Sequence, residues 1–153
     1  MPAMQVRAVV EGVDAAAALR LVTDYRRWPD ASDTIRSVQV EETGRDVSVS
    51  IWEVTFRGGL MRWSERDWFD PEALEQRFAL IDGDPHDFAG AWSAAPCPDG
   101  CVLLLKGEFD LGMPSLRHVL DPIAIEALED AVADVLHALF GRIRVDPAEP
   151  VAR

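Results

Sequence analysis

The chain has 153 residues, of which 48% are hydrophobic and 27% are charged, and this composition is typical of a folded protein. At this length a single domain buries most of its apolar surface without metals or disulfides. The 27 acidic residues outnumber the 15 basic ones, giving a net charge of -12, which would repel nucleic-acid phosphates and anionic lipids. We see neither an apolar run of the roughly 20 residues that span a bilayer nor a signal-peptide pattern. We therefore expect a cytoplasmic domain with neither nucleic acid nor membrane as partner.

The first 30 residues predict a strand followed by a helix. Residues 4–10 form a short apolar run, and Asp14 then precedes an alanine-rich segment as a helix N-cap would. Because a residue before proline is disfavoured in the α conformation, Trp28-Pro29 predicts that this helix ends near Tyr25. We expect a turn at Trp28-Pro29.

Short β-rich segments fill residues 34–111 and alternate with turn residues. Connections this short cannot hold crossover helices, so about six consecutive antiparallel strands are expected to form a meander. The turn signals are Gly44-Arg45-Asp46, Gly58-Gly59, Asp70-Pro71-Glu72, Asp82-Gly83-Asp84-Pro85 and Pro98-Asp99-Gly100.

The chain has two cysteines, Cys97 and Cys101, on either side of the last of these turns. A structural zinc site would need two further ligands at comparable spacing, and none of the three histidines supplies such a pattern. We therefore predict two thiols beside a hairpin turn and no metal.

Beyond residue 113 the hydrophobic period becomes helical. Asp121 and Pro122 would cap and open a long helix that reaches Phe140, while a helical lead-in over residues 114–120 stays open. The apolar positions are Leu120, Ile123, Ala124, Leu128, Ala131, Val132, Val135, Leu139 and Phe140. We predict one domain over residues 4–142 and a disordered tail over residues 143–153.

This order of elements resembles the START-related (SRPBCC) helix-grip superfamily, and within it the polyketide cyclase and dehydrase group. Trp28-Pro29 after the first helix, Gly90-Ala91-Trp92 in a late strand, Glu108-Phe109-Asp110 at the end of the last strand and Pro122 carry the resemblance. It implies an α+β fold of about seven strands, in which a curved antiparallel sheet wraps around the C-terminal helix and encloses a cavity.

The resemblance also implies which residues line that cavity. It assigns substrate binding to Trp28, Trp63, Phe88, Trp92 and His118. The alternative for any single tryptophan is ordinary core packing, and for His118 an exposed helix end.

The segment around Trp63 has many charges for a strand. Alternation places Trp63, Glu65 and Asp67 on one face and Arg66 on the other. Aromatase/cyclases similar to this chain carry an inward arginine on this strand. If Trp63 and Asp70-Pro71 are used to align the chain with them, Asp67 stands at the position of that arginine. A buried carboxyl has a raised pKa and can act as a general acid or base. Two alternatives remain open. A shift of the strand register by one residue would turn Arg66 inward instead, or all of these charges could lie on a solvated outer face.

The catalytic hypothesis therefore involves Glu65, with Asp67 or Arg66 beside it. The resemblance implies a cofactor-independent polyketide cyclase, aromatase or dehydratase that folds a hydrophobic substrate, which an acyl carrier protein could present. The alternative is a carrier for a lipid, quinone or other apolar metabolite. Fold alone does not decide between them, nor between a monomer and a homodimer.

Overall fold

The computed structural model describes residues 3–147, which form eight strands and three α-helices. The strands are β1 (Ala3–Glu11), β2 (Ile35–Gly44), β3 (Val47–Phe56), β4 (Gly59–Asp70), β5 (Glu75–Gly83), β6 (Asp87–Cys97), β7 (Gly100–Asp110) and β8 (Ile143–Pro147). The helices are α1 (Ala15–Val22), α2 (Trp28–Ala31) and α3 (Arg117–Leu139), with 3-10 turns at Tyr25–Arg27 and Pro114–Leu116.

All eight strands belong to one antiparallel sheet in the order β2-β3-β4-β5-β6-β7-β1-β8. Strands β2 to β7 follow one another without a crossover, so the predicted meander is confirmed. The hairpin between β6 and β7 pairs Cys97 with Gly100, and both cysteines are free thiols.

One part of the chain differs from the expected disordered tail. Residues 143–147 form β8, which pairs with β1 from Val10↔Ile143 to Val6↔Pro147. The pairing covers the edge of β1 that would otherwise expose unpaired backbone groups. The rest of the expected tail, residues 148–153, lies outside the described residues.

The long helix α3 packs its apolar face onto the sheet, as predicted. Leu128, Val132 and Leu136 are buried on that face together with Ala124 and Ala131. The helix begins at Arg117, earlier than the main body predicted from Pro122, so the lead-in that the sequence left open is helical. Pro122 therefore lies inside the helix, where it lacks the amide that would otherwise donate to the His118 carbonyl one turn earlier.

The segment after α1 differs from the predicted turn. Asp14 caps α1 as expected, since its side chain accepts a hydrogen bond from the Ala17 amide at 3.2 Å. Trp28, however, adopts the α conformation (φ -64°, ψ -39°) and begins the short helix α2, with Pro29 as its second residue. The steric preference before proline is overridden because Trp28 is buried and its Nε1 donates to the Val22 carbonyl at 2.9 Å.

Candidate active site in the aromatic cavity

An internal cavity lies between the inner face of the sheet and α3, and its volume is about 50 Å³. It is lined by Met4, Tyr25, Trp28, Ile35, Trp52, Trp63, Glu65, Phe78, Phe88, Trp92, Leu105, Leu128, Ala131 and Val132. This space holds only a few water molecules, whereas sites for drug-sized ligands occupy roughly 300–1,000 Å³. A larger ligand therefore requires the aromatic side chains or α3 to move.

Aromatic rings form most of the cavity wall. Trp52 and Trp63 stack with their ring centroids 5.6 Å apart and their planes 5° apart, as a directly opposed pair on β3 and β4. Trp28 meets the edge of Trp52 at 5.3 Å, and Trp92 lies 6.3 Å from Trp28. Phe88 contacts Trp63 edge-on at 5.5 Å. These mutual contacts make the wall a continuous aromatic cluster.

The structure brings together four of the five side chains that the resemblance assigned to the cavity: Trp28, Trp63, Phe88 and Trp92. It does not bring His118 there, because His118 lies in the exposed first turn of α3. Trp52 is a cavity residue that the sequence analysis missed. Its alternation with buried Ser50 and Val54 along β3 would have identified it.

On β4 the alternation of side chains is as predicted. Trp63, Glu65 and Asp67 are buried, with exposed fractions of 4%, 4% and 1%, whereas Arg66 is exposed on the outer face. The register slip that would have turned Arg66 inward does not occur, so Arg66 is not part of this site. Glu65 lines the cavity, and Asp67 lies beside it on the same face of the strand.

A bulge between β4 and β5 fixes the strand next to Glu65. Ser64 pairs with Asp82 while Glu65 pairs with Leu80, so β5 has one extra residue at this point. Gly83 directly opposes Trp63 with a φ of +140°, and a Cβ there would collide with the Trp63 backbone. Only glycine fits this close approach of two backbones.

Neutral donors hold the two carboxyl groups in place. Trp63 Nε1 donates to Glu65 Oε1 at 2.9 Å. Trp52 Nε1 donates to Ser50 Oγ at 2.8 Å, and that hydroxyl donates to Asp67 Oδ2 at 2.7 Å. The two stacked tryptophans therefore position the acidic pair, Trp63 directly and Trp52 through Ser50.

Burial raises the pKa of Glu65 well above its usual range, and the adjacent Asp67 raises it further by hydrogen bonding and by charge repulsion. Burial also raises the pKa of Asp67, although hydrogen bonds from Glu65 and Ser50 act in the opposite direction. Two neighbouring carboxyls cannot both ionise readily, and the larger rise in pKa falls on Glu65, so Glu65 is the member of the pair that protonates more readily. The Oδ1 atom of Asp67 is buried without a hydrogen-bond partner in the described part of the chain.

Tyr25 is the other ionisable side chain in the cavity wall. Burial raises its pKa well above the usual value, and the charges of Asp67 and Glu65 add to the effect. Hydrogen bonds with Gln76 and Trp92 oppose that rise. Its hydroxyl is therefore neutral and can donate or accept a hydrogen bond beside the acidic pair.

No Lys, Arg or His side chain is found among the described residues that line the cavity. Neither Glu65 nor Asp67 forms an ion pair within residues 3–147, and those residues contain no group of three or more potential metal ligands. No helix in the same part of the chain has the length and apolar character to cross a membrane.

An antiparallel sheet packed on a long C-terminal helix, with an aromatic cavity between them, defines the helix-grip fold. The sequence matches the family model described as polyketide cyclase / dehydrase and lipid transport over residues 12–136, and the chain belongs to this family. No curated protein matches the sequence.

Solved structures share this fold. TTHA0849 from Thermus thermophilus superimposes with a TM-score of 0.78 at 22% identity, covering 90% of this chain and 94% of that one. The Zhui aromatase/cyclase from a Streptomyces species gives 0.74 at 17% identity, with 90% and 94% covered. A START superfamily protein from Mycobacterium smegmatis gives 0.67 at 16% identity, with 91% and 96% covered. The predicted helix-grip fold is thereby confirmed.

Proposed function

We propose that this protein is a cofactor-independent cyclase, aromatase or dehydratase that acts on a hydrophobic, polyketide-like substrate in the cavity, with Glu65 as its general acid. The observation that carries the proposal is a buried carboxyl that lines an aromatic cavity next to a second carboxyl. Burial raises the pKa of Glu65, and a carboxyl with a raised pKa retains its proton to higher pH and can donate it to a substrate. The aromatase/cyclase among the similar folds supports the reaction class.

In the proposed dehydration, Glu65 donates its proton to the hydroxyl of a β-hydroxy ketone as the carbon–oxygen bond breaks and water leaves. The resulting Glu65 carboxylate then takes the proton from the adjacent α carbon as the double bond forms. Glu65 ends in its starting protonation state, so the two reaction steps need no proton donor or acceptor besides its carboxyl group. Asp67 acts as a positioning residue, because its carboxyl lies next to Glu65 on the same face of β4 and raises the Glu65 pKa.

The aromatic walls would contribute through shape. Holding a flexible chain in one folded conformer removes part of the entropic barrier to ring closure. The stacked Trp52 and Trp63 rings are packed against further aromatic side chains, so they form a wall of fixed shape against which such a conformer can lie. A substrate presented as a thioester by an acyl carrier protein fits this scheme and is part of the proposal.

The test is turnover of a β-hydroxy ketone thioester by wild type, Glu65→Gln and Arg66→Ala. Gln keeps the shape of Glu and removes the acid, so kcat should fall about 10²-fold or more while KM changes little. Arg66 is the neighbour that points outward, and Arg66→Ala should keep wild-type kinetics. Equal turnover by wild type and Glu65→Gln would contradict the proposal.

A second candidate function is carriage of a lipid, quinone or similar apolar metabolite. The observation in its favour is that Glu65 is the only carboxyl among the described residues lining an otherwise aromatic and aliphatic cavity. The family description also includes lipid transport. Native mass spectrometry of the purified protein that shows a retained apolar ligand, together with no turnover of the thioester, would favour the carrier.

A further inference from the structure

The acidic pair at the cavity wall has no basic partner. Glu65 and Asp67 share one face of β4, and their hydrogen-bond donors, Trp63 and Ser50, are neutral. Neither carboxyl forms an ion pair within residues 3–147, and the described residues lining the cavity include no basic side chain that could compensate a negative charge on the pair. Burying an unpaired charge is costly, so this arrangement favours a positive partner from outside the chain.

The Oδ1 atom of Asp67 indicates the same need. It is buried and has no hydrogen-bond partner in the part of the chain that the structure describes, and Asp67 is only 1% exposed. A carboxylate oxygen in that state lacks a donor that it would find in water. An ammonium group, with its three donors, can supply one hydrogen bond to this pair and others to neighbouring acceptors.

The cavity wall is itself suited to a cation. Its rings present π faces that carry negative electrostatic potential and attract ammonium groups, tryptophan most strongly. The tryptophans among the lining residues are Trp28, Trp52, Trp63 and Trp92, and Tyr25, Phe78 and Phe88 complete the set of rings. An aromatic cage with a carboxyl at one side is a chemical arrangement that recognises ammonium ligands.

We infer that the cavity is a cation site, which takes a ligand carrying a protonated amine on an apolar body and holds the ammonium among the aromatic rings next to Glu65, with Asp67 adjacent to Glu65 on the same face of β4. The inference names the substrate class of the same site and so rests on the proposed function.

The test compares three probes of similar size: 2-phenylethylammonium, its neutral isostere n-propylbenzene and the anion phenylacetate. Calorimetry and tryptophan fluorescence should show that the cation binds wild type at least about ten-fold more tightly than n-propylbenzene, with phenylacetate weakest.

Asp67→Asn should bring the ratio of cation to neutral affinity close to one. Glu41→Gln is the matched control, since Glu41 is exposed and its replacement changes the net charge equally, and it should keep the wild-type ratio. Equal or tighter binding of n-propylbenzene or phenylacetate by wild type overturns the inference, as does an unchanged ratio in Asp67→Asn. If Asp67→Asn does not fold, the wild-type comparison still decides. None of these measurements involves turnover. The cation site can therefore be disproved while catalysis by Glu65 stands, and catalysis by Glu65 can be disproved while the cation site stands.

Discussion

The indole nitrogen of Trp63 lies 2.9 Å from Oε1 of Glu65, two residues along the same strand, and both side chains point into the cavity. This contact does two things. It holds the carboxyl in one orientation at the cavity wall, and it partly counteracts the rise in the Glu65 pKa, because an N–H donor favours the ionised form. Trp63 therefore serves both as a wall residue and as a regulator of the acid.

Trp63→Phe removes the donor and keeps an aromatic ring. The Glu65 pKa should then rise further, since the ionised form loses its hydrogen bond. A carbon-13 NMR titration of the labelled side-chain carboxyls measures the shift. Trp68→Phe is the control, because Trp68 lies on the opposite face of the strand. A Glu65 titration that Trp63→Phe moves to lower pH would contradict the role given to this contact.

Protein stability should depend on pH through Glu65. Its pKa is raised in the folded state, so between the unfolded value near 4.3 and the folded value the native protein binds more protons than the unfolded chain. The free energy of unfolding therefore falls as pH rises through this window, by up to about 1.4 kcal/mol per unit, and is level above it.

Urea denaturation of wild type and Glu65→Gln across this range measures the effect. Glutamine cannot ionise, so the variant should gain stability relative to wild type as pH rises. A constant difference between the two proteins would show that the Glu65 pKa is not raised by folding.

The packing of α3 on the sheet gives a prediction for Leu128. Leu128 is 6% exposed and lines the cavity, so Leu128→Asp places an unpaired charge in the core and should destabilise the fold by about 3 kcal/mol or more. Val119→Asp, on the same helix at 58% exposure, should change stability by less than about 0.5 kcal/mol. Thermal unfolding of both variants provides the comparison, and similar melting temperatures would show that Leu128 does not face the sheet.

Ligand binding should quench the fluorescence of the cavity tryptophans. Trp92→Phe removes one of them and should reduce the quenching produced by a hydrophobic aromatic ligand. Trp68→Phe removes a tryptophan from outside the cavity and should leave the quenching amplitude unchanged. The opposite pattern would place the ligand on the outer face of the sheet.

Much of this architecture was predictable because local rules agree with tertiary structure. The two-residue alternation along β4 correctly separated Glu65 and Asp67 from Arg66, since one face of that strand is buried and the other is solvated. The helical period after residue 113 likewise identified most of the buried face of α3, although Ile123 is exposed and the buried Ile125 and Leu136 were not among the predicted positions. In these segments the spacing of the apolar residues matches the period of the strand or helix that they form.

Other features depend on contacts that sequence periodicity does not encode. Strand β8 is short and polar on alternate residues, and it exists because the edge of β1 pairs with it. Trp28 enters a helix despite the following proline because its ring is held in the core. His118 was assigned to the cavity by resemblance alone, and the exposed start of α3 places it in solvent. The hydrogen-bond chain from Trp52 through Ser50 to Asp67 needs two neighbouring strands in register.

The central claim is that a protonated Glu65 faces the cavity at neutral pH. Infrared difference spectroscopy of wild type against Glu65→Gln at neutral pH tests it most directly, because a protonated carboxyl and a carboxylate absorb at different carbonyl frequencies. The account predicts a protonated carboxyl band in wild type that is missing from Glu65→Gln. A difference spectrum showing only the loss of a carboxylate band would mean that Glu65 is ionised, and would contradict its assignment as the general acid.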